Sequence, residues 1–240
     1  ALPLFYHRPV ALLAPQHGTV SLRPAGDFRF ARDTNAIPLA ISEFFHAQRD
    51  YPIVFTDEPL PMPVAVVGIR DAANLFVTAE GGWRPGCYVP AHVRRYPFLL
   101  ARQAPGSDLV LCADAASELL EIGGGNPLFK DGKPTAATQK ALELCLAYER
   151  DTEQSREFMR ALMQVEFLTL RDARIQVAPG DTVQLHGFKM IDEEKFNQLP
   201  AETFRDWRAK GWIALIYAHL LSLGSWDRLA RIAAEHRSAP

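Results

Sequence analysis

The protein is 240 residues long, with 48% hydrophobic and 22% charged residues and a formal net charge of -2. That profile excludes bulk disorder, collagen and coiled coil, and leaves enough chain for a sizeable core. The near-neutral charge argues against a dedicated nucleic-acid binder, which carries a basic excess.

The opening stretch, ALPLFYHRPVALLAP, has no basic start ahead of an apolar run and holds His7 and Arg8. It does not read as a secretory leader, and a cytoplasmic location is expected. The first hundred residues are rich in Pro, Gly, aromatic and β-branched residues and read as short strands and turns around one helix. That helix is expected over 39–50, with Ile41, Phe44 and Phe45 as its apolar stripe, Pro38 at its entry and Tyr51-Pro52 as its stop. Strands are expected at 53–56, 64–69, 74–78 and 109–112.

Residues 121–135 carry Gly and Pro and an Asp131-Gly132 turn, and read as a seam. Beyond it, 135–167 lacks Gly and Pro and shows helical periodicity, with the polar stretch 149–156 as an exposed face or a joint between two helices. A hairpin is expected at 174–188, its Ala178-Pro179-Gly180-Asp181 corner suiting a type II turn. Short helices follow from about 193 and over 201–210, with Gly211 as C-cap. Residues 212–223 form an apolar helix, interrupted by His219 and too short for a bilayer span of roughly 20 residues. Ser225 is expected to cap a last helix.

The three cysteines, Cys87, Cys112 and Cys145, fit no zinc spacing and read as buried reduced thiols. Gly123-Gly124-Gly125-Asn126-Pro127 lacks the Lys-Ser/Thr end of a phosphate loop and reads as a flexible turn. No GxSxG elbow is present. Glu43-x-x-His46, with Asp50 one turn on, has the spacing of a helical metal pair. It has no second copy, however, and a solvated polar face accounts for all three residues. His7, His17, His92, His186 and His219 are scattered. The most unusual stretch is YVPAHVRRYPF at 88–98, where Arg94 and Arg95 lie among Tyr88, Tyr96 and Phe98. Such a group binds a carboxylate or phosphate and stacks on an aromatic face. The alternative is that both arginines satisfy internal acceptors.

The chain resembles the SapC family. The resemblance rests on FYHRPVALLAPQH at 5–17, FRFARDTNAIPLAISEF at 28–44, YPIVF at 51–55, PVAVVGIRDAANLFV at 63–77, YVPAHVRRYPF at 88–98, PLFKDGKPT at 127–135, HGFKMIDEEKFNQLP at 186–200 and AHLLSL at 218–223. His46 and His92 depart from the family pattern. The resemblance implies a link to surface-layer or envelope protein biogenesis in Gram-negative bacteria. It also implies neighbours among outer-membrane receptor genes and flavin-dependent halogenase-like genes. It brings no catalytic residue set.

These readings converge on an α+β protein, a single domain over 1–240. Its strand-rich part (1–120) packs on a mainly helical part (136–240) containing the hairpin 174–188. The leading function is a non-catalytic binding or accessory protein acting on an envelope or surface-layer polypeptide. Arg94, Arg95, Tyr96, Tyr88 and Phe98 form its contact surface, exposed β-edges offer strand addition, and no cofactor is called for. The rival is an enzyme modifying a peptide or small molecule, with Glu43, His46 and Asp50, or histidines gathered by folding, carrying the chemistry. The third reading is a structural homodimer joined through 212–233.

Overall fold

A computed structural model describes residues 2–238 apart from 103, 105 and 179. The first half runs β1 (Pro9–Ala11), α1 (Ala14–His17), β2 (Val20–Leu22), β3 (Ala36–Pro38), α2 (Phe44–Ala47), β4 (Ile53–Thr56), β5 (Pro63–Val66), α3 (Ala91–Arg94), β6 (Phe98–Arg102) and β7 (Leu109–Asp114). Then come β8 (Leu120–Ile122), β9 (Phe129–Lys130), β10 (Lys133–Pro134), α4 (Ala136–Gln164), β11 (Leu168–Ala178), β12 (Asp181–Ile191), α5 (Glu193–Asn197), α6 (Ala201–Ala209), α7 (Trp212–Ser222) and α8 (Ser225–Ser238). The fold is α+β, with sheets dominating the first half and helices the second.

The two halves share one sheet. Its order is β11-β12-β4-β5-β3, so the late hairpin extends an early three-stranded unit. The join is short: only Phe188 opposite Thr56 and Lys189 opposite Phe55 pair β12 with β4. Where these strands part, α7 fills the gap. His219 Nδ1 lies 2.9 Å from the Ile53 carbonyl, and its Nε2 accepts the Ile191 N–H at 3.2 Å. Ser222 Oγ accepts the Ile53 N–H at 3.0 Å. Buried peptide groups that the ladder leaves open are thus satisfied by one helix.

The main core gathers Ile37, Phe44, Tyr51, Phe55, Phe158, Leu162, Ile216 and Leu229 between the sheet and the helices. A second sheet, β1-β7-β6, packs Phe98, Leu100 and Ala113 with Leu128, Phe129 and Cys145 into a smaller cluster. Helix α4 serves both clusters, through Cys145 in its first half and Phe158, Met159 and Leu162 in its second. Its 29 residues span about 44 Å at 1.5 Å per residue.

Several expectations change. The helix at 39–50 shrinks to a 3-10 turn at Ile41–Glu43 followed by α2. Ile41 and Phe44 face the core, but Phe45 is 54% exposed, because the 3-10 turn rotates the apolar stripe off that position. Residues 74–78 form no strand; Val77 makes one bridge, to Trp83, and Asn74 pins the loop by bonding Ala31 O and Phe76 N. The stretch at 121–135 is not a flexible seam. β8 pairs with β2, β9 turns onto β10 through Asp131 and Gly132 at positive φ, and Leu128 is fully buried. Helix α4 continues unbroken through 149–156. The hairpin is longer than 174–188, and Pro179 of its corner lies outside the described residues. Gly211, at φ 76, closes α6 as expected. Ser225 does not cap α8; its hydroxyl donates to Gln48 O at 2.9 Å. All three cysteines are free, with Cys112 and Cys145 buried and Cys87 half-buried.

Burial pushes His219 down to about 4 from an ordinary 6.5, with the Ile53 carbonyl pulling back only in part. Between those values the unfolded chain binds a proton that the folded chain refuses, so stability is lost as pH falls from about 6.5 toward 4. Urea unfolding should therefore show a loss of about 2 kcal/mol from this group between pH 7 and 5. His219→Gln, which hydrogen-bonds but does not titrate, should flatten that slope. An unchanged slope would show that the imidazole is not held neutral here.

Candidate functional site

The stretch at 88–98 folds as one helical turn between prolines. Pro90 opens α3, and the peptide between Tyr96 and Pro97 is cis, which turns the chain into β6. Glu43 anchors this turn from the opposite side. Its Oε1 accepts the Ala91 N–H at 2.6 Å and the Tyr88 hydroxyl at 3.0 Å, while Oε2 accepts the Ala40 N–H at 2.8 Å. Burial pushes the Glu43 carboxyl up, and these donors pull it back. Arg94 closes the network, donating to Tyr88 Oη at 3.2 Å and to Val89 O at 3.0 Å.

Arg95 points a different way. Its guanidinium lies 4.0 Å over the Tyr148 ring of α4 and 5.5 Å from the Tyr6 ring. Its nearest carboxylate, Glu149, stands 3.8 Å off, and its Nε has no hydrogen-bond partner. His92 beside it is pushed down to about 3, by burial and then by the Arg95 charge. The neutral ring fits its neighbours: Nε2 lies 3.0 Å from Leu4 O, and Nδ1 lies 3.1 Å from Tyr148 Oη. The tautomer with the proton on Nε2 satisfies both.

Tyr96 stacks on Phe30 with 4.2 Å between ring centroids, and its hydroxyl donates to Asp114 Oδ2 at 3.3 Å. Burial raises the Asp114 carboxyl, but bonds from the backbone of His7, Arg8 and Ala116 outweigh it and hold the group below its ordinary value. This carboxylate thereby fixes the amino-terminal strap beside Tyr96. Tyr6 adds a bond from its hydroxyl to Phe98 O at 2.6 Å.

Together these elements wall a cleft of about 410 Å³. The loop 22–28 with Phe30 forms one side, Val93 to Tyr96 and Phe98 the second, and the first turns of α4 the third. Ala137, Lys140, Ala141 and Leu144 reach it at helical spacing. The volume falls in the range of small-ligand sites, and the walls are mostly apolar.

Four of the five expected contact residues, Arg94, Arg95, Tyr96 and Phe98, therefore line one cleft, while Tyr88 sits behind Arg94. Arg94 is exposed; Arg95, Tyr96 and Phe98 are buried. The internal-acceptor alternative describes both arginines in part: Arg94 donates to Val89 O and Tyr88 Oη, and Arg95 Nη2 lies 3.4 Å from His92 Nδ1. Sequence reasoning missed the opposite walls, Leu22 to Phe28 and the α4 stripe of Ala137, Lys140, Ala141 and Leu144. The i, i+3, i+4, i+7 spacing of 137, 140, 141 and 144 was the available signal.

The solvated-face reading holds for His46 but not for Glu43 and Asp50. Glu43 and Asp50 are 3% and 0% exposed, because each carboxylate answers backbone donors of the 88–91 segment; Asp50 Oδ2 accepts the Tyr88 N–H at 2.8 Å. His46 lies outside and stacks on Tyr88. The three do not converge, and among the described residues no group of three His, Cys, Asp or Glu could hold a metal ion.

The fold and the cleft define an α+β protein with an apolar recess edged by arginine and lysine. A family model described as SapC matches residues 12–229, and the chain belongs to the SapC family. No curated protein and no solved structure matches it. Among the described residues no helix is long and apolar enough to cross a membrane.

Glu43→Gln places an amide N–H₂ against groups that already donate, and should destabilise the protein by about 1–3 kcal/mol. His46→Ala, on the exposed side of the same turn, should cost under about 0.5 kcal/mol. Equal losses in chemical denaturation would contradict the structural role of Glu43.

Proposed function

We propose that this protein is a non-catalytic binding or accessory protein that acts on a polypeptide of the cell envelope or surface layer. The cleft between loop 22–28, α3 and α4 carries that reading, since it joins apolar walls to cationic side chains at one place. Arg94 and Lys140 have no carboxylate within 4 Å among the described residues. The family resemblance supplies the envelope connection. Four buried groups of the kind an enzyme uses are occupied: His92 and His219 commit both ring nitrogens to internal partners, and Glu43 and Asp114 answer backbone donors.

A photo-crosslinking residue placed at Ala25, on the loop wall, should capture an envelope polypeptide in cells, and Arg94→Gln with Lys140→Gln should abolish the adduct. The same probe at Asp108, outside the cleft wall, serves as control. Equal adducts at both positions, or none at Ala25, would overturn the reading.

The homodimer reading has its own observation. On α6 and α7, Phe204, Tyr217 and Leu221 are exposed, Leu221 to 70%, and Phe204 and Tyr217 flank an open groove. If two copies meet there, sedimentation equilibrium should show a dimer that Leu221→Arg converts to monomer. A wild-type monomer at tens of micromolar would remove this reading.

A further inference from the structure

We propose that the cleft captures the free C-terminal residue of its polypeptide, an apolar side chain together with the chain-end carboxylate; this rests on the binding reading above. Three observations converge. The space, about 410 Å³, suits one or two side chains rather than a long extended segment. Its floor and sides are apolar, with Phe28, Phe30, Phe98 and Leu144 among them. Its edge is cationic: Arg23 is paired with Glu121, Asp27 with Arg29 and Arg95 with Glu149 at 3.8 Å, which leaves Arg94 and Lys140 with no carboxylate within 4 Å among the described residues.

Arg95 is set apart from these. It is 5% exposed, it lines the cleft, and its buried Nε makes no hydrogen bond. A guanidinium has five donors in a fixed fork, and an unanswered buried donor is costly. Glu149 at 3.8 Å is too far to answer it by a hydrogen bond. Arg95 thereby holds a fixed positive charge behind the cleft wall, while the exposed Arg94 and Lys140 are the cations that meet an arriving carboxylate. The amino end of α4 adds to the field, because its first turn holds no acidic residue and Thr135 makes no side-chain cap. Thr135 spends its hydroxyl on Pro127 O instead. The open N–H groups of a long helix favour negative charge nearby. A mid-chain backbone brings only neutral amides to these cations, and an internal Asp or Glu brings its carboxylate without an apolar side chain on the same residue. A chain end brings an apolar side chain and a carboxylate on one residue.

Calorimetric titration of the full chain with N-acetyl-leucyl-phenylalanine, as the free acid and as the C-terminal amide, tests this. The acid should bind at least tenfold more tightly, and raising NaCl from 50 to 500 mM should shrink that ratio. Arg95→Gln should weaken the preference; since Arg95 also packs on Tyr148, the exposed Lys140→Gln provides a second variant that should reduce it without unfolding the protein. Equal binding of acid and amide overturns the carboxylate assignment and leaves the binding reading standing. Binding of decanoate with neither peptide bound overturns both, as the cleft is then a lipid site. No binding of any of the three overturns the chain-end proposal, and the crosslinking result then decides the broader reading by itself.

Discussion

Everything else in this molecule hangs on a short seam between β4 and β12. Two residue pairs are too few to hold a hairpin of two eleven-residue strands to a sheet, and the strands diverge beyond them with polar groups exposed to the core. His219 and Ser222 close that divergence from α7, giving Ile53 and Ile191 the partners that the ladder does not. The bracket works only with a neutral ring, since the Ile191 N–H needs a lone pair on Nε2. Burial enforces that state. The interior thus chooses the protonation form that its own backbone requires.

The same economy governs the site. Helix α4 is a strut shared by two hydrophobic clusters, and its amino-terminal half forms one wall of the cleft. Because its far half is locked by Phe158, Met159 and Leu162, the near half presents Lys140, Ala141 and Leu144 from a rigid element. Glu43 fixes the opposing wall by gathering Ala40, Tyr88 and Ala91 onto one carboxylate. Asp114 does the same for the amino-terminal strap beside Tyr96. Buried acids here act as staples for loops that have little regular structure of their own. A buried carboxylate is tolerated because several donors converge on it.

This arrangement makes two adjacent arginines unlike. Arg94 turns outward, braced by Tyr88 and by the Val89 carbonyl. Arg95 turns inward onto Tyr148, where stacking compensates part of its desolvation but leaves a donor unanswered. A helical turn separates neighbours by about 100° of rotation, so a doublet on a single turn cannot present both heads to one surface in the same way. The contact group proposed for recognition is therefore a graded wall, running from solvent to core, rather than a patch.

The sequence by itself determined the elements whose signals are local. The strand at 53–56, the α6 helix with Gly211 after it, the apolar α7 helix and the hairpin around 174–188 each follow from period, turn chemistry and punctuation. It also marked Arg94, Arg95, Tyr96 and Phe98 as an uncommon grouping. Only the tertiary structure decided what was long-range. Glu43-x-x-His46, with Asp50 one turn on, has the spacing of a metal pair, yet Tyr88 and Ala91, which the two carboxylates hold, lie some forty residues away, so nothing local distinguishes a ligand from a staple. The glycine stretch at 123–125 reads as slack, but its pairing and Leu128 burial depend on β2, a hundred residues earlier. The cleft itself joins three segments drawn from residues 22 to 144, and its shape exists only once α4 has packed against α3 and β6. Periodicity shows which face of an element is apolar; it does not show which other element will cover that face, because many apolar faces are equivalent until geometry selects one.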